Sequence, residues 1–153
     1  MLTPAWSQLK PHPVQSRLWY SKAKRKAVCA GRGSGKTEVS RRYVVRMLPV
    51  KKQWKDPYYF YMLPTYGQAK RVAWPQLLAL IPPTWLAEKP NETELSIKTR
   101  FGSTLYVLGM DKPQRAEGLQ YDGGIIDESS DQKPGMFSRT VEPMLVHRDA
   151  WVW

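Results

Sequence analysis

Eight consecutive residues carry the densest chemistry in this 153-residue chain: Ala30-Gly31-Arg32-Gly33-Ser34-Gly35-Lys36-Thr37. Glycines let a backbone curl around an anion and offer it successive N–H groups. A lysine and a hydroxyl residue directly after such a turn supply a charge for the β- and γ-phosphates and an oxygen for Mg²⁺. The pattern is that of a P-loop, with alanine where its first glycine usually stands. Gly31, Arg32, Gly33, Ser34, Gly35, Lys36 and Thr37 are therefore expected to hold the triphosphate of ATP, with Thr37 touching the metal. About 90 residues downstream, Gly124-Ile125-Ile126-Asp127-Glu128 delivers two carboxylates at the end of an apolar run. Asp127 suits Mg²⁺, directly or through water. Glu128 suits a water aimed at the γ-phosphate. Each motif has a bland alternative: a Gly/Ser turn capped by threonine, and an acidic helix cap. Their joint occurrence argues against both. The paired acid also suits hydrolysis, and hence mechanical work, better than transfer to a small substrate.

These residues need elements to position them. Residues 27–30 (AVCA) read as a strand covered on both faces, with Cys29 a small core residue. Residues 37–48 have an apolar stripe at helical spacing (Val39, Tyr43, Val44, Met47, Leu48), a Glu38–Arg42 pair on the wet face, and Pro49 as terminator. Residues 58–63 (YYFYML) read as a second buried strand. Thr65 is placed to cap a helix over 66–81 that buries Ala69, Ala73, Leu77 and Ile81, with a kink or break at Pro75. Residues 94–99 and 103–108 form a hairpin around Arg100-Phe101-Gly102. Asp111 and Gln114 suggest a cap for a short turn through Glu117. The acidic strand follows, then a helix over 136–146 interrupted at Pro143, then Trp151-Val152-Trp153 as the opening of another strand. Upstream, a short helix is expected around 14–20. Strands alternating with helices imply an α/β fold with a mostly parallel sheet.

The length fits one domain, and 42% hydrophobic residues suffice for one core. No apolar run approaches the roughly 20 residues of a spanning helix. The first residues lack a signal-peptide layout. A single cysteine excludes an internal disulfide framework. The net charge is +11, and it is lopsided: residues 1–76 carry 16 basic and 2 acidic side chains, residues 77–153 carry 8 and 11. Such a half attracts a polyanion, nucleic acid being the usual one. Lys22, Lys24, Arg25, Lys26, Lys51, Lys52 and Lys55 either track phosphates or form a solvated face. The seven tryptophans read as packing residues, and His12 and His147 are too few and too far apart for a metal site.

The combination AGRGSGKT with YDGGIIDESSDQKPGMF resembles the ATPase domain of the large terminase subunit of tailed bacteriophages, from about Pro11 to Trp153. The arginine within the loop, Arg32, is typical of that family, and TRFGSTLYVLG is similar to its segment before the acidic strand. The resemblance implies a RecA-like P-loop NTPase core, α/β with a mostly parallel sheet, incomplete at its C-terminal side. Residues 1–26 would be a lead-in with an adenine-side segment and 27–153 a partial ATPase core. The coupling motif and nuclease domain of the family have no counterpart, so an N-terminal portion of a longer protein is expected. The implied activity is ATP hydrolysis with Mg²⁺, translocating double-stranded DNA into a capsid. A homo-oligomeric ring, a pentamer, would act at the portal protein with the small terminase subunit. Its place would be the host cell cytoplasm, at the procapsid portal, with no membrane. Lys36, Arg32 and Glu128 would be catalytic, Arg32 sensing the γ-phosphate. Gln15 is a candidate for reading the adenine edge; the alternative is a polar surface residue. Many relatives have an arginine where Glu117 stands, so Arg115 is either a displaced arginine finger or a solvated charge. Rival functions are a helicase-like or recombination P-loop ATPase, and a DNA-binding fragment inactive as an ATPase on its own.

Overall fold

Alternation of polar and apolar residues is absent from Tyr58–Leu63, and the sheet explains why. A computed structural model describes residues 5–115, 118–131 and 134–153. In it β1 (Tyr58–Leu63) is the central strand of five, in the order β2-β3-β1-β4-β5. β1 lies parallel to β3 (Thr104–Gly109) on one side and to β4 (Gly123–Ile126) on the other, and β5 (Trp151–Val152) extends the parallel ladder beyond β4. β2 (Ser96–Lys98) runs antiparallel on β3 and closes the expected hairpin. A strand with layers on both faces has no wet side, so both of its faces are apolar. Tyr59, Tyr61 and Leu63 pack with Val44, Leu48, Ala73 and Leu77. Phe60 and Met62 pack on the other face with Leu108, Val141, Met144 and Leu145. The sheet is thus mostly parallel between helical layers, as anticipated.

The helices follow their sequence signals. α1 spans Pro13–Tyr20, with proline in its first turn where no N–H is needed. α2 spans Lys36–Met47, and Glu38 accepts from the Arg42 Nε at 2.6 Å. The Thr65 hydroxyl accepts from the Gln68 N–H at 3.2 Å, capping α3 (Tyr66–Gln68). The expected break at Pro75 takes a specific form. A π-helical turn over Ala69–Ala73 separates α3 from α4 (Trp74–Leu80), in which the proline is the second residue. Proline lacks an N–H and crowds the carbonyl four residues back, and a widened turn relieves both. Pro143 repeats the solution: a π turn over Phe137–Val141 leads into α5 (Glu142–Leu145).

Two expectations need correction. Residues 27–30 form no strand, and Cys29 is exposed rather than buried in the core. Pairing reaches only the preceding residues: Val152 N–H donates to the Lys24 carbonyl at 2.8 Å and Lys26 N–H to the Val152 carbonyl at 3.0 Å. With β5 two residues long, the ladder ends there. The apolar run 27–30 lines a cavity instead. Asp111 also departs from its expected role. It does not cap its own turn; its Oδ1 accepts from the Tyr66 N–H at 2.6 Å, at the start of α3. That turn is a 3₁₀ helix over Pro113–Arg115, and Glu117 lies outside the described residues.

Candidate functional site: a phosphate loop facing an acidic strand end

The loop 30–37 enters α2 through two glycines in the left-handed region, Gly33 at φ 75° and Gly35 at φ 74°. Other residues rarely take that conformation, so the spacing of glycines in the motif has a backbone reason. Gly35 is the N-cap of α2, and the N-terminal end of the helix carries partial positive charge toward the loop. Gly31, Arg32 and Gly33 are exposed, as a loop that meets an outside ligand must be. The Lys36 ammonium lies 3.5 Å from the Ala30 carbonyl, a long contact that a phosphate would outcompete. The Ser34 hydroxyl is buried and has no hydrogen-bond partner among the described residues.

The start of α1 clasps this loop from outside. The His12 Nε2–H donates to the Ser34 carbonyl at 3.0 Å. Gln15 Nε2 donates to the Gly35 carbonyl at 3.1 Å, and Gln15 Oε1 accepts from the His12 N–H at 3.2 Å. Gln15 is buried, not a surface residue, and one donor and one acceptor of its amide are engaged with the loop and with the turn that starts α1. Sequence reasoning missed His12 here. Its signal was position alone, two residues before an expected helix.

Opposite stands the acidic end of β4. Asp127 is buried, and both carboxylate oxygens are oriented: Oδ2 accepts from the Tyr61 hydroxyl at 2.6 Å and Oδ1 from the Glu128 N–H at 3.0 Å. Burial, and then the Asp127 charge, push the Tyr61 phenol far above its ordinary range, so Tyr61 stays a donor. Glu128 is exposed and sits at φ 57°, a left-handed conformation that costs a non-glycine residue on the order of 1–2 kcal/mol. Such strain persists where the surroundings over-determine it, and it gathers at functional sites.

A cavity of about 740 Å³ joins the two flanks. Lys36, Asp127 and Glu128 all line it, together with Ser129 and Ser130. Its remaining wall is largely apolar, made by Ala27–Ala30, Ile125, Ile126 and Val152. The arrangement brings the Lys36 ammonium and two carboxylates, with Arg25 and Lys26 also in the wall, to the C-terminal edge of a parallel sheet, where such sheets bind ligands. Thr37 is half-buried beside it, its carbonyl accepting from the Ser40 hydroxyl at 3.0 Å. Among the described residues no three His, Cys, Asp or Glu side chains converge as a metal cage. A Mg²⁺ here would share phosphate and water oxygens, as Mg²⁺ commonly does.

Arg32 stays exposed on the loop, and Arg115 is not brought to the cavity. Arg115 stacks on the Tyr66 ring at 4.5 Å and donates to the Thr93 carbonyl at 3.1 Å, near the end of β3.

Comparisons with known proteins extend these observations. No family model matches the chain. It is 28% identical to the terminase large subunit of Thermus virus P23-45 over 93% of its own length, and equally so to that of Thermus phage G20c. The chain spans about a third of those relatives, 32% of their length. Among solved structures it superposes on the large terminase ATPase domain of Thermus phage P74-26 with a TM-score of 0.82. That match is 24% identical in sequence and covers 99% of this chain and 68% of that one. The resemblance carried by the two motifs is therefore met twice: along its length the chain is similar in sequence to large terminase subunits, and its fold is that of a large terminase ATPase domain.

Proposed function

We propose that this chain is the ATPase portion of a phage DNA-packaging motor. The observation that carries the reading is the meeting of Lys36, Asp127 and Glu128 in one cavity at the sheet's C-terminal edge. Loop N–H groups from Gly31 to Lys36, with the Lys36 ammonium, hold the triphosphate of ATP. Thr37 and Asp127 hold Mg²⁺, which neutralises charge on the phosphate oxygens when bound. Glu128 accepts a proton from the attacking water and orients it. Arg32, exposed at the loop tip, senses the γ-phosphate. Gln15 secures the loop and offers its remaining amide proton and lone pair to the adenine edge. Arg115 is the candidate finger toward a neighbouring copy, and it must first leave Tyr66.

The partner is double-stranded DNA, in keeping with the charge concentrated in the first half. A homo-oligomeric ring, a pentamer by likeness to the family, would work at the portal with the small terminase subunit, in the host cytoplasm. No helix among the described residues is long and apolar enough to cross a membrane. Glu128→Gln removes the base while keeping the shape. ATP turnover should vanish and ATP binding persist, and unchanged turnover refutes the role. Lys36→Ala should abolish binding itself. DNA affinity should fall with salt at a log–log slope of about −0.9 per phosphate contacted, and a flat response removes DNA as the partner.

A further inference from the structure

The two residues proposed for the metal, Thr37 and Asp127, come from different parts of the chain, and the hydroxyls of Ser40 and Tyr61 lie in the gap between them. Ser40, one turn into α2, donates to the Thr37 carbonyl at 3.0 Å. Its hydroxyl also lies 3.3 Å from the Tyr61 hydroxyl. Tyr61 donates to Asp127 Oδ2 at 2.6 Å. A phenol has one proton, and the short bond to a carboxylate claims it, so Ser40 reaches Tyr61 only by turning its own single proton from the Thr37 carbonyl to the phenol oxygen. Ser40, Tyr61 and Asp127 are all buried, in a setting where a charge-assisted bond is strong and water does not replace it. The Glu128 N–H takes the other oxygen, so the carboxylate cannot rotate without breaking one of two bonds.

We infer that Tyr61 is a positioning residue, fixing the Asp127 carboxylate relative to α2 so that a metal held by Thr37 and Asp127 finds both at once. This rests on the nucleotide-binding reading above. A ligand oriented by an outer partner binds metal more tightly, and losing that partner typically costs about 10–100-fold in metal affinity. Tyr61 belongs to the central strand, so the register of β1 against β4, Tyr61 beside Ile125 and Met62 beside Ile126, sets where the phenol meets the acid.

The test is Tyr61→Phe in the full chain, titrated with a fluorescent ATP analogue in EDTA and then in Mg²⁺, with Mn²⁺ binding read by electron paramagnetic resonance. Affinity in EDTA should stay unchanged. The gain on adding Mg²⁺ should shrink about tenfold, and Mn²⁺ retention should fall in step. Ser40→Ala keeps the Tyr61–Asp127 bond but frees Tyr61 from α2, and it should lose about two- to threefold, within the range of one neutral hydrogen bond. It also serves if Tyr61→Phe does not fold. A full Mg²⁺ gain in the variants overturns the inference. So does an equal loss with and without the metal, which would mark a merely structural tyrosine. A parent chain that binds no analogue in either condition sinks the nucleotide reading itself, a different result from a variant that matches its parent.

Discussion

The two flanks of the candidate site are built by different means. The acidic flank grows from the most buried part of the molecule: β1 and β4 lie side by side, and Asp127 is held by Tyr61 from the strand next door. The phosphate flank pairs its backbone with the sheet at residues 24–26, runs along a cavity to a loop clasped by His12 and Gln15, and rejoins the core where α2 packs on β1 through Val44 and Leu48. The acids follow from the register of core strands, whereas the loop ahead of α2 is held by a few local side-chain bonds. The carboxylates therefore inherit the sheet's rigidity. The loop is held by bonds that each contribute about 1 kcal/mol, and it can rearrange around a ligand without disturbing the core.

The deepest test of the contrast strikes the root of the acidic flank. Asp122, just before β4, has its side chain 1% exposed, and its Oδ2 accepts from Arg148 at 2.9 Å and from the Tyr58 N–H at 3.0 Å. The Arg148 guanidinium lies over the Trp54 and Tyr58 rings. Asp122→Ala takes the nearest carboxylate from a largely buried guanidinium, which keeps only the Asp56 carbonyl at 2.9 Å and the exposed Asp56 carboxylate at 3.8 Å, and leaves the Tyr58 N–H unpaired, at a cost of about 3 kcal/mol. For a domain of this size the melting temperature should fall by roughly 10 °C, and more in the variant than in any loop substitution. A drop of only a degree or two would place the rigidity of β4 elsewhere.

The glycines sharpen the same comparison. A Cβ on Gly124 would meet the Phe60 ring at 2.4 Å, whereas one on Gly31 would meet nothing within 4 Å. Gly124→Ala forces Phe60 from its packing and should cost about 1–3 kcal/mol. Gly31→Ala should leave thermal melting unchanged. Equal melting of the two variants would remove the distinction between a packed flank and an open one.

Much of this difference was legible in the sequence. The length and two-sided hydrophobicity of residues 58–63 marked a buried strand, and the glycine spacing marked the loop, because both follow from local geometry. What escaped depends on the fold. Residues 27–30 have the composition of a covered strand, but coverage is a property of neighbours, and β5 stops short of them. Tyr61 carries no sign that it meets Asp127, since the contact follows from the register of two strands 60 residues apart in the chain. Asp111 sat in a capping pattern for its own turn and instead caps α3, 45 residues upstream. Capping patterns report that an acceptor is near a helix start, not which helix.

On the phosphate flank the expected effects are smaller. Gln15→Ala removes the bond to the Gly35 carbonyl and the bond from the His12 N–H. These losses should cost about 1–2 kcal/mol together, a few degrees of melting. Hydrogen exchange at residues 33–36 should quicken while exchange across β1 and β4 stays slow. If β4 loosens equally, the flanks are one cooperative unit.

The smallest effect concerns the joint between the flanks. Lys26 donates its N–H to Val152 and its ammonium to the Leu18 carbonyl, and that ammonium lies 4.8 Å from the Tyr43 ring centre and 4.4 Å from that of Trp153. Burial, and then the Arg46 charge, lower its pKa to about 8. A lysine in the unfolded chain keeps its proton to about 10.4, so across this window the unfolded state binds the extra proton. Stability should therefore rise with pH from about 8. Above about 10 the buried tyrosines Tyr59, Tyr61 and Tyr121, whose phenols burial pushes upward, reverse the trend. Urea midpoints at pH 7, 8.5 and 9.5 should climb slightly in the parent and stay level in Lys26→Met. A parent midpoint that falls over this range would mean that the two rings hold the ammonium charged, and that the joint gains from the charge it carries.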